Sequence, residues 1–379
     1  MHKLTFNTHR YFLIVLFLAV SACSSIQPRQ SPNSLDAKIN QTRIVLVGET
    51  HTDFGHHLNQ LEIIQKAFKK SGDTKSGVLS IGLEMIQQPF QPYLDDYIAG
   101  NITELEMLRG VEWYSRWRYD FRLYRPIFNY AKQNEIPLIA LNIPQELTRQ
   151  ISKVGIEGLT THERKQLPSF IDKSNAEYTA RLKKVFGLHA HGKKFNEAGF
   201  RKFVDAQLAW DEGMAFAASN YLTEYPKKRM VILVGSGHLI NREGIPSRID
   251  RQLKLSADKR SLVILSHSDE KYSSKEADFS LKSKEIKLPP AGLIGISMKD
   301  TEEGVQVSAI AKSGAAQKAG LKKDDLLLKL NDVAVRTTSD VDLWRLDKKP
   351  NQKIDVLVRR GKQKITKRLT LGSPNPISE

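Results

Sequence analysis

Five short runs rich in Val, Ile and Leu punctuate the first two thirds of the chain: 44–47, 78–81, 136–141, 230–234 and 262–265. Each is nearly continuous rather than alternating, and longer stretches with helical spacing separate them. Apolar side chains on both faces of a short strand require cover on both faces. The pattern therefore predicts buried parallel strands with flanking helices, an α/β layered domain. After the first run, Leu58, Leu61, Ile64 and Phe68 predict one helix face, with Asp53 as its N-cap. Residues 146–225, between the third and fourth runs, predict a helical insert. Within it Phe203, Gln207, Trp210, Met214, Ala217 and Tyr221 recur as a core stripe, leaving Asp205 and Asp211 free to turn toward the strand ends.

The residues just after each run carry the chemistry. The runs lead into Gly48-Glu49-Thr50-His51, Leu83-Glu84, Leu141-Asn142, Gly235-Ser236-Gly237-His238 and Ser266-His267. Ligands of open α/β sheets bind outside the carboxyl ends of the strands. Read singly, each of these residues is more often a loop residue than a catalyst; together, Glu49, His51, Glu84 and His238 predict one polar cleft. Of the neighbours His56 and His57, at most one is expected to point inward. Two chemistries fit these groups. His51, oriented by Glu49 or Glu84, could activate water for a hydrolase while His238 steadies developing charge. Alternatively, the two histidines and two carboxylates could hold a divalent metal. The Gly-x-Ser-x-Gly nucleophile elbow and the His-Glu-x-x-His zinc helix are both absent.

The ends of the chain read differently. Lys3 and Arg10 precede an apolar run, Tyr11 to Val20, and then Ser21-Ala22-Cys23, the only cysteine. Residues 1–22 predict a secretory signal too short to span a bilayer. Small residues followed by cysteine resemble the lipobox of bacterial lipoproteins. That resemblance implies acylation of Cys23 and a membrane anchor; Ser24 in place of Asp implies the outer membrane, with the chain facing the periplasm. Residues 23–40, rich in Ser, Gln, Pro and Asn, predict a flexible tether. With its one cysteine acylated, the mature chain has no disulfide or thiol nucleophile. The formal charge of +16 is diffuse: residues 291–379 carry 17 Lys/Arg against 11 Asp/Glu. This suits an anionic membrane or ligand, and with no recognisable motif it gives no case for nucleic acid. Residues 271–290, polar and lysine-rich, predict a linker.

Gly48-Glu49-x-His51, the pair His56-His57 with Gln60, Glu84, the stretch Phe203 to Ala215 and Val234-Gly235-Ser236-Gly237-His238-Leu239 together resemble the ChaN-type haem-binding lipoproteins, over a domain of residues 41–270. The resemblance implies haem binding for iron acquisition by a homodimer enclosing two stacked haems. A tyrosine of one subunit would ligate iron, and a histidine of the other would meet the propionates. Carried onto this chain, Tyr178 becomes the axial ligand and His189 its partner at the propionates; eleven apart, they share a face of one helix, although Gly187 weakens the pattern between them. A second candidate is Trp113 to Arg125, whose aromatics and arginines could cradle a porphyrin or simply pack on the sheet and face water. The wider superfamily, resembling erythromycin esterases and Tiki-type proteases, implies hydrolytic or metal chemistry on Gly-Glu-x-His.

Beyond Pro290, Gly292-Leu293-Ile294-Gly295-Ile296, then Ser313 to Leu321 and Lys323 to Asp332, resemble PDZ domains of the bacterial HtrA type, over residues 291–372 with a tail at 373–379. That implies a peptide partner added as a strand, with its carboxylate at Leu293, Ile294, Gly295 and Ile296. It leaves open a purely adaptor role. The expected architecture is α/β with a largely parallel sheet and a helical insert, then a small β-rich PDZ domain.

Overall fold

The computed structural model describes residues 34–70, 77–189 and 195–373. Cys23, the signal sequence and residues 24–33 lie outside the described residues. Strands β1 (Ile44–Glu49), β2 (Leu79–Gln87), β3 (Leu138–Asn142), β4 (Arg229–Gly235), β5 (Leu262–His267) and β6 (Phe279–Lys282) form one sheet in the order β3-β2-β4-β1-β5-β6. Every pairing in it is parallel. The five apolar runs thus become β1 to β5. Their alternate residues feed two cores: Val45, Val47, Val231 and Leu233 on one face, Ile44, Leu46, Ile232 and Val234 on the other.

The helices are α1 (Leu35–Gln41), α2 (Phe54–Lys70), α3 (Gln91–Ala99), α4 (Glu104–Gly110), α5 (Trp113–Arg116), α6 (Arg125–Gln133), α7 (Gln145–Val154) and α8 (Thr161–Arg164). They continue with α9 (Ala176–His189), α10 (Glu197–Glu224) and α11 (Ile245–Gln252). Asp53 caps α2 as expected, its carboxylate accepting the His56 amide at 3.2 Å.

Three expectations need correction. The tether does not reach residue 40: Ser34 caps α1, and Ile39 is fully buried in the core beside α2. One buried isoleucine and a side-chain cap are enough to turn a polar segment into about two ordered turns of helix. The linker is also shorter than 271–290. Phe279–Lys282 joins the sheet as β6, parallel to β5, and Phe279 and Leu281 pack on the core. Its alternation is too short to read as a strand until β5 offers an edge. Third, the deepest face of α10 shares only Met214 with the predicted stripe. Leu208, Asp211, Glu212, Ala215, Ala218 and Leu222 are buried, whereas Phe203, Gln207, Trp210, Ala217 and Tyr221 flank them, half-buried. A hydrophobic stripe hid two carboxylates whose partners come from other elements.

The second sheet is built from β7 (Ile296–Thr301), β8 (Gly304–Ile310), β9 (Leu326–Leu330), β11 (Lys353–Arg360) and β12 (Gln363–Thr370), with β10 (Val333–Ala334) beside β9. Its order is β12-β11-β9-β8-β7 and its pairings are antiparallel. With α12 (Ala315–Lys318) and α13 (Thr338–Arg345) it encloses a core of its own, including Val305, Val307, Leu330, Val356 and Val358. Among the described residues β7 is an edge strand, paired along one side only, with β8.

No helix among the described residues is long and apolar enough to cross a membrane.

Candidate functional site at the carboxyl edge of the sheet

Strand order places the candidates. β1 sits between β4 and β5 while the chain leaves it toward β2, so the crevice at the carboxyl ends lies over β1 and β4. Glu49 ends β1 and Gly235 ends β4, registered opposite each other. Glu84 comes up from β2, on the far side of β4. The four predicted residues do meet at one edge, in two linked clusters.

The first cluster is organised by Glu49, whose side chain is fully buried. Its Oε1 accepts the Tyr124 hydroxyl at 2.9 Å and the His51 Nδ1 proton at 2.8 Å. Its Oε2 lies 2.6 Å from His57 Nδ1. The other nitrogen of His57, Nε2, donates to the His51 carbonyl at 3.2 Å. Both nitrogens of a buried ring thus face oxygen, which favours the charged imidazolium. Burial by itself would lower the His57 pKa, but the Glu49 carboxylate outweighs it and the pKa rises. Burial would likewise raise Glu49, yet the charge of His57 and the bond from His51 take it down to about 2. His56 is buried too, against the expectation that only one of the pair points inward. The two rings leave the helix on different sides. His56 Nδ1 accepts the Thr50 amide at 2.9 Å and its Nε2 faces Ser268 at 3.3 Å, so it is a neutral imidazole that braces the loop.

The second cluster is a chain of four side chains. Tyr178 donates to Asp211 Oδ2 at 2.6 Å, and Asp211 Oδ1 meets His238 Nδ1 at 2.5 Å. His238 Nε2 lies 3.3 Å from Glu84 Oε1, and Glu84 Oε2 accepts the Gly235 amide at 2.6 Å. Burial opposes the charged form of His238, but Asp211 and Glu84 push its pKa up to about 10. Asp211 completes this chain from α10; Asp205 instead accepts the Ile156 amide and pairs with Lys173.

The clusters touch at Gly235. A Cβ there would stand 2.9 Å from His51 Cε1, 3.2 Å from His51 Nε2 and 3.6 Å from Glu84 Oε2. The missing side chain leaves room for the imidazole between the carboxylates. His51 is about a quarter exposed, and Trp117 and Tyr119 border its ring at 4.8 and 5.0 Å between centroids. Its pKa also rises: burial opposes this, and Glu49 and Glu84 outweigh burial. A histidine with Nδ1 held by a carboxylate, Nε2 beside the gap at Gly235 and aromatic rings against it is prepared to accept or give a proton, or to donate its lone pair to iron.

Each remaining predicted residue has a place. Tyr178 is buried, its hydroxyl spent on Asp211, its ring between the guanidinium groups of Arg181 at 5.2 Å and Arg248 at 5.1 Å. Burial first, then Asp211, raises its pKa far above that of free tyrosine. A phenol in that position braces α9 on α10 and is not open to an iron. α9 runs unbroken through Gly187 to His189, whose side chain lies outside the described residues. The aromatic and arginine segment divides its labour. Trp113 and Tyr124 are buried, whereas Arg116 pairs with Glu112 and Glu146, Arg122 with Asp120, and Arg125 with Glu104. Packing with partnered arginines describes it better than a cradle. The divalent-metal alternative does not assemble. Glu49 is spent on His51, His57 and Tyr124, and both His238 nitrogens face carboxylates. No three His, Cys, Asp or Glu among the described residues form a metal-holding group. In the second domain Gly295 takes φ +82° and turns the chain into β7. The Leu293 amide is already bonded to Gly372 at 2.9 Å, so it is not free for a peptide carboxylate.

Sequence reasoning passed over Tyr124 as a ligand of Glu49, gave Glu212 no role beyond its place in the Phe203 to Ala215 stretch, and missed Arg248 and Glu243 altogether. Arg248 lies 3.3 Å from Glu212, and Glu243 holds Arg181 at 2.7 Å. Two adjacent acids, Asp211-Glu212, within the apolar middle of α10 were the available signal.

Residues 35–249, more than half of the chain, match the family described as haem-binding uptake, Tiki superfamily, ChaN, and residues 292–371 match the PDZ family. Among solved structures, the fold resembles that titled "Cofacial heme binding to ChaN of Campylobacter jejuni", with a TM-score of 0.53 and 20% identity, covering 66% of this chain and 90% of that one. The HtrA3 PDZ domain bound to a phage-derived ligand aligns over 22% of this chain and 88% of its own, at 20% identity and a TM-score of 0.20. A curated relative, Protein RETICULATA-RELATED 5, chloroplastic, of Arabidopsis thaliana, is 29% identical over 134 residues. Those residues are 34% of this chain and 17% of that protein, so the match spans under a fifth of the relative's length. With a parallel sheet whose carboxyl edge gathers Gly48-Glu49-x-His51, Glu84 and His238, the chain belongs to the ChaN family of haem-binding uptake proteins, extended by a C-terminal PDZ domain.

Proposed function

We propose that the protein is an envelope lipoprotein that binds haem for iron acquisition and recruits a peptide or protein partner through its PDZ domain. Family membership supports the haem reading, and the observation that carries it in this chain is His51. Its Nδ1 is held by Glu49, its ring is walled by Trp117 and Tyr119, and its Nε2 is unspent beside the gap that Gly235 leaves. These residues suit a flat aromatic ligand with a metal at its centre. His51 replaces Tyr178 as the proposed ligand, because Tyr178 already gives its hydroxyl to Asp211. Cofacial stacking would require two copies of the chain, which motivates a haem-linked homodimer.

Hemin titrated into the chain is expected to give a saturable Soret shift. His51→Ala should weaken it at least tenfold, while Tyr178→Phe should leave it intact. No shift at micromolar protein discards the haem reading; loss in Tyr178→Phe alone returns the ligand to α9. Sedimentation with and without hemin tests the homodimer. A hydrolytic use of the same His51 is the second reading, favoured by the Glu49 carboxylate that holds its Nδ1. Ester and peptide substrates tried with His51→Ala as control decide it, since activity that survives the mutation lies elsewhere.

The localisation has its own test. Cys23→Ser is expected to abolish incorporation of labelled palmitate and to release the protein from the outer-membrane fraction. Unchanged labelling and sedimentation would rule out the anchor.

A further inference from the structure

The helix wall of the PDZ groove faces the α/β domain. Along α13, Thr338, Asp342 and Arg345 fall on one stripe, spaced four and three apart. The stripe begins at β7, where the Thr338 amide and hydroxyl bond Asp300 at 2.7 and 3.0 Å. The unpaired edge of β7 and this stripe are therefore two walls of one groove, the place where a PDZ fold takes an added strand.

Its middle is narrow. Asp342 feels the charge of Asp120 as well as that of Asp300. Tyr114, Asp120 and Arg122 stand opposite Asp342, Arg345 and Leu346 across a cavity of about 60 Å³. One water needs about 10–15 Å³ by the same measure, so a few waters fit at this point and an extended peptide crossing it does not; wider cavities of about 760 and 1110 Å³ lie toward the two ends, at Asp300 and Thr337 and at Leu293 and Ala291. The contact is anchored around this point. Leu343 and Leu346 of the PDZ helix are buried in the core of the α/β domain, with Tyr114 and Trp117 packed on the same cluster. Arg109 reaches Asp340 at 3.3 Å, Arg125 reaches Asp347 at 2.6 Å, and Arg122 bonds the Pro289 carbonyl at 2.9 Å.

We propose that residues 113–122 of the α/β domain are a built-in cover of the PDZ groove, so that the chain accepts a peptide only after the two domains part. This rests on the peptide-binding reading of the PDZ domain. The cover also walls the strand-edge site, since Trp117 and Tyr119 lie against His51. Opening the groove therefore moves a wall of the proposed haem site.

The test fixes the domains in contact. In a Cys23→Ser chain, Arg109→Cys and Asp340→Cys are bridged with a bis-maleimide, and the bridged and unbridged proteins are compared on an array of random C-terminal decapeptides. Leu346→Glu opens the contact from the PDZ side and Tyr114→Ala from the other, with circular dichroism confirming that each is folded. Bridging is expected to weaken peptide binding at least tenfold, and either opening variant to strengthen it by a similar factor. Equal binding by bridged and unbridged chains overturns the cover and leaves the peptide reading standing. Binding by none of the proteins, opening variants included, overturns the peptide reading and the cover with it.

Discussion

Replacing Glu49 with alanine is expected to cost about 3–5 kcal/mol of unfolding free energy at pH 7, the range found when one partner of a buried ion pair is removed. The carboxylate is fully buried and serves three groups: the Tyr124 hydroxyl, His51 Nδ1 and His57 Nδ1. Without it His57 must either keep a buried charge with no counter-ion or give up its proton, and Tyr124 loses its acceptor. Glu49→Gln separates these effects. An amide still accepts from Tyr124 and lets a neutral His57 stay, so its cost should fall to about 1–2 kcal/mol, the scale of hydrogen bonds rearranged without a stranded charge. Urea unfolding of the three proteins measures both. A loss below about 1 kcal/mol in Glu49→Ala would mean that no charge is stored at this position.

The second large effect appears at alkaline pH. The folded-state pKa of His238, about 10, lies above the 6.5 expected in the unfolded chain. A group raised on folding contributes stability that is full below its unfolded pKa and is lost as pH climbs through the folded one. Between pH 7 and about 10.5 the parent should therefore lose on the order of 3 kcal/mol more than His238→Gln. Taking the difference between the two proteins cancels the titration of the many exposed lysines. Tyr178 adds to the same trend only beyond the pKa of free tyrosine, because its own raised pKa favours the neutral phenol. Parallel stability–pH curves for parent and variant would remove the charged His238 clamped by Asp211 and Glu84.

The two clusters also explain why so polar an edge can sit over a buried sheet. Each histidine faces carboxylates, and the second oxygens of those carboxylates face a hydroxyl, an amide or another ring. Partner-for-partner satisfaction is what makes buried polar groups tolerable. His51 is the exception in that one nitrogen remains unspent, and it is the member nearest solvent.

Much was legible along the chain because it depends on local pattern. Runs of Val, Ile and Leu specify strands buried on both faces wherever they fall, and parallel pairing then puts every carboxyl end on one edge. Glu49, His51, Glu84 and His238 could be grouped on that ground alone, as could Asp53 as a cap and the PDZ repeat of strand and turn residues. Only the tertiary structure decided how each group is spent. Tyr178 reads as an open ligand until Asp211 arrives from a helix 33 residues away to take its hydroxyl. His56 and His57 look equivalent until the Thr50 amide claims one and Glu49 the other. β6 looks like linker until β5 presents an edge, and the PDZ helix looks free until Tyr114, Asp120 and Arg122 face Asp342 and Arg345 across a narrow gap. The physical reason is common to all four. Periodicity records which face of an element is buried, whereas hydrogen-bond partners and covering surfaces are set by distant segments whose approach no local pattern encodes.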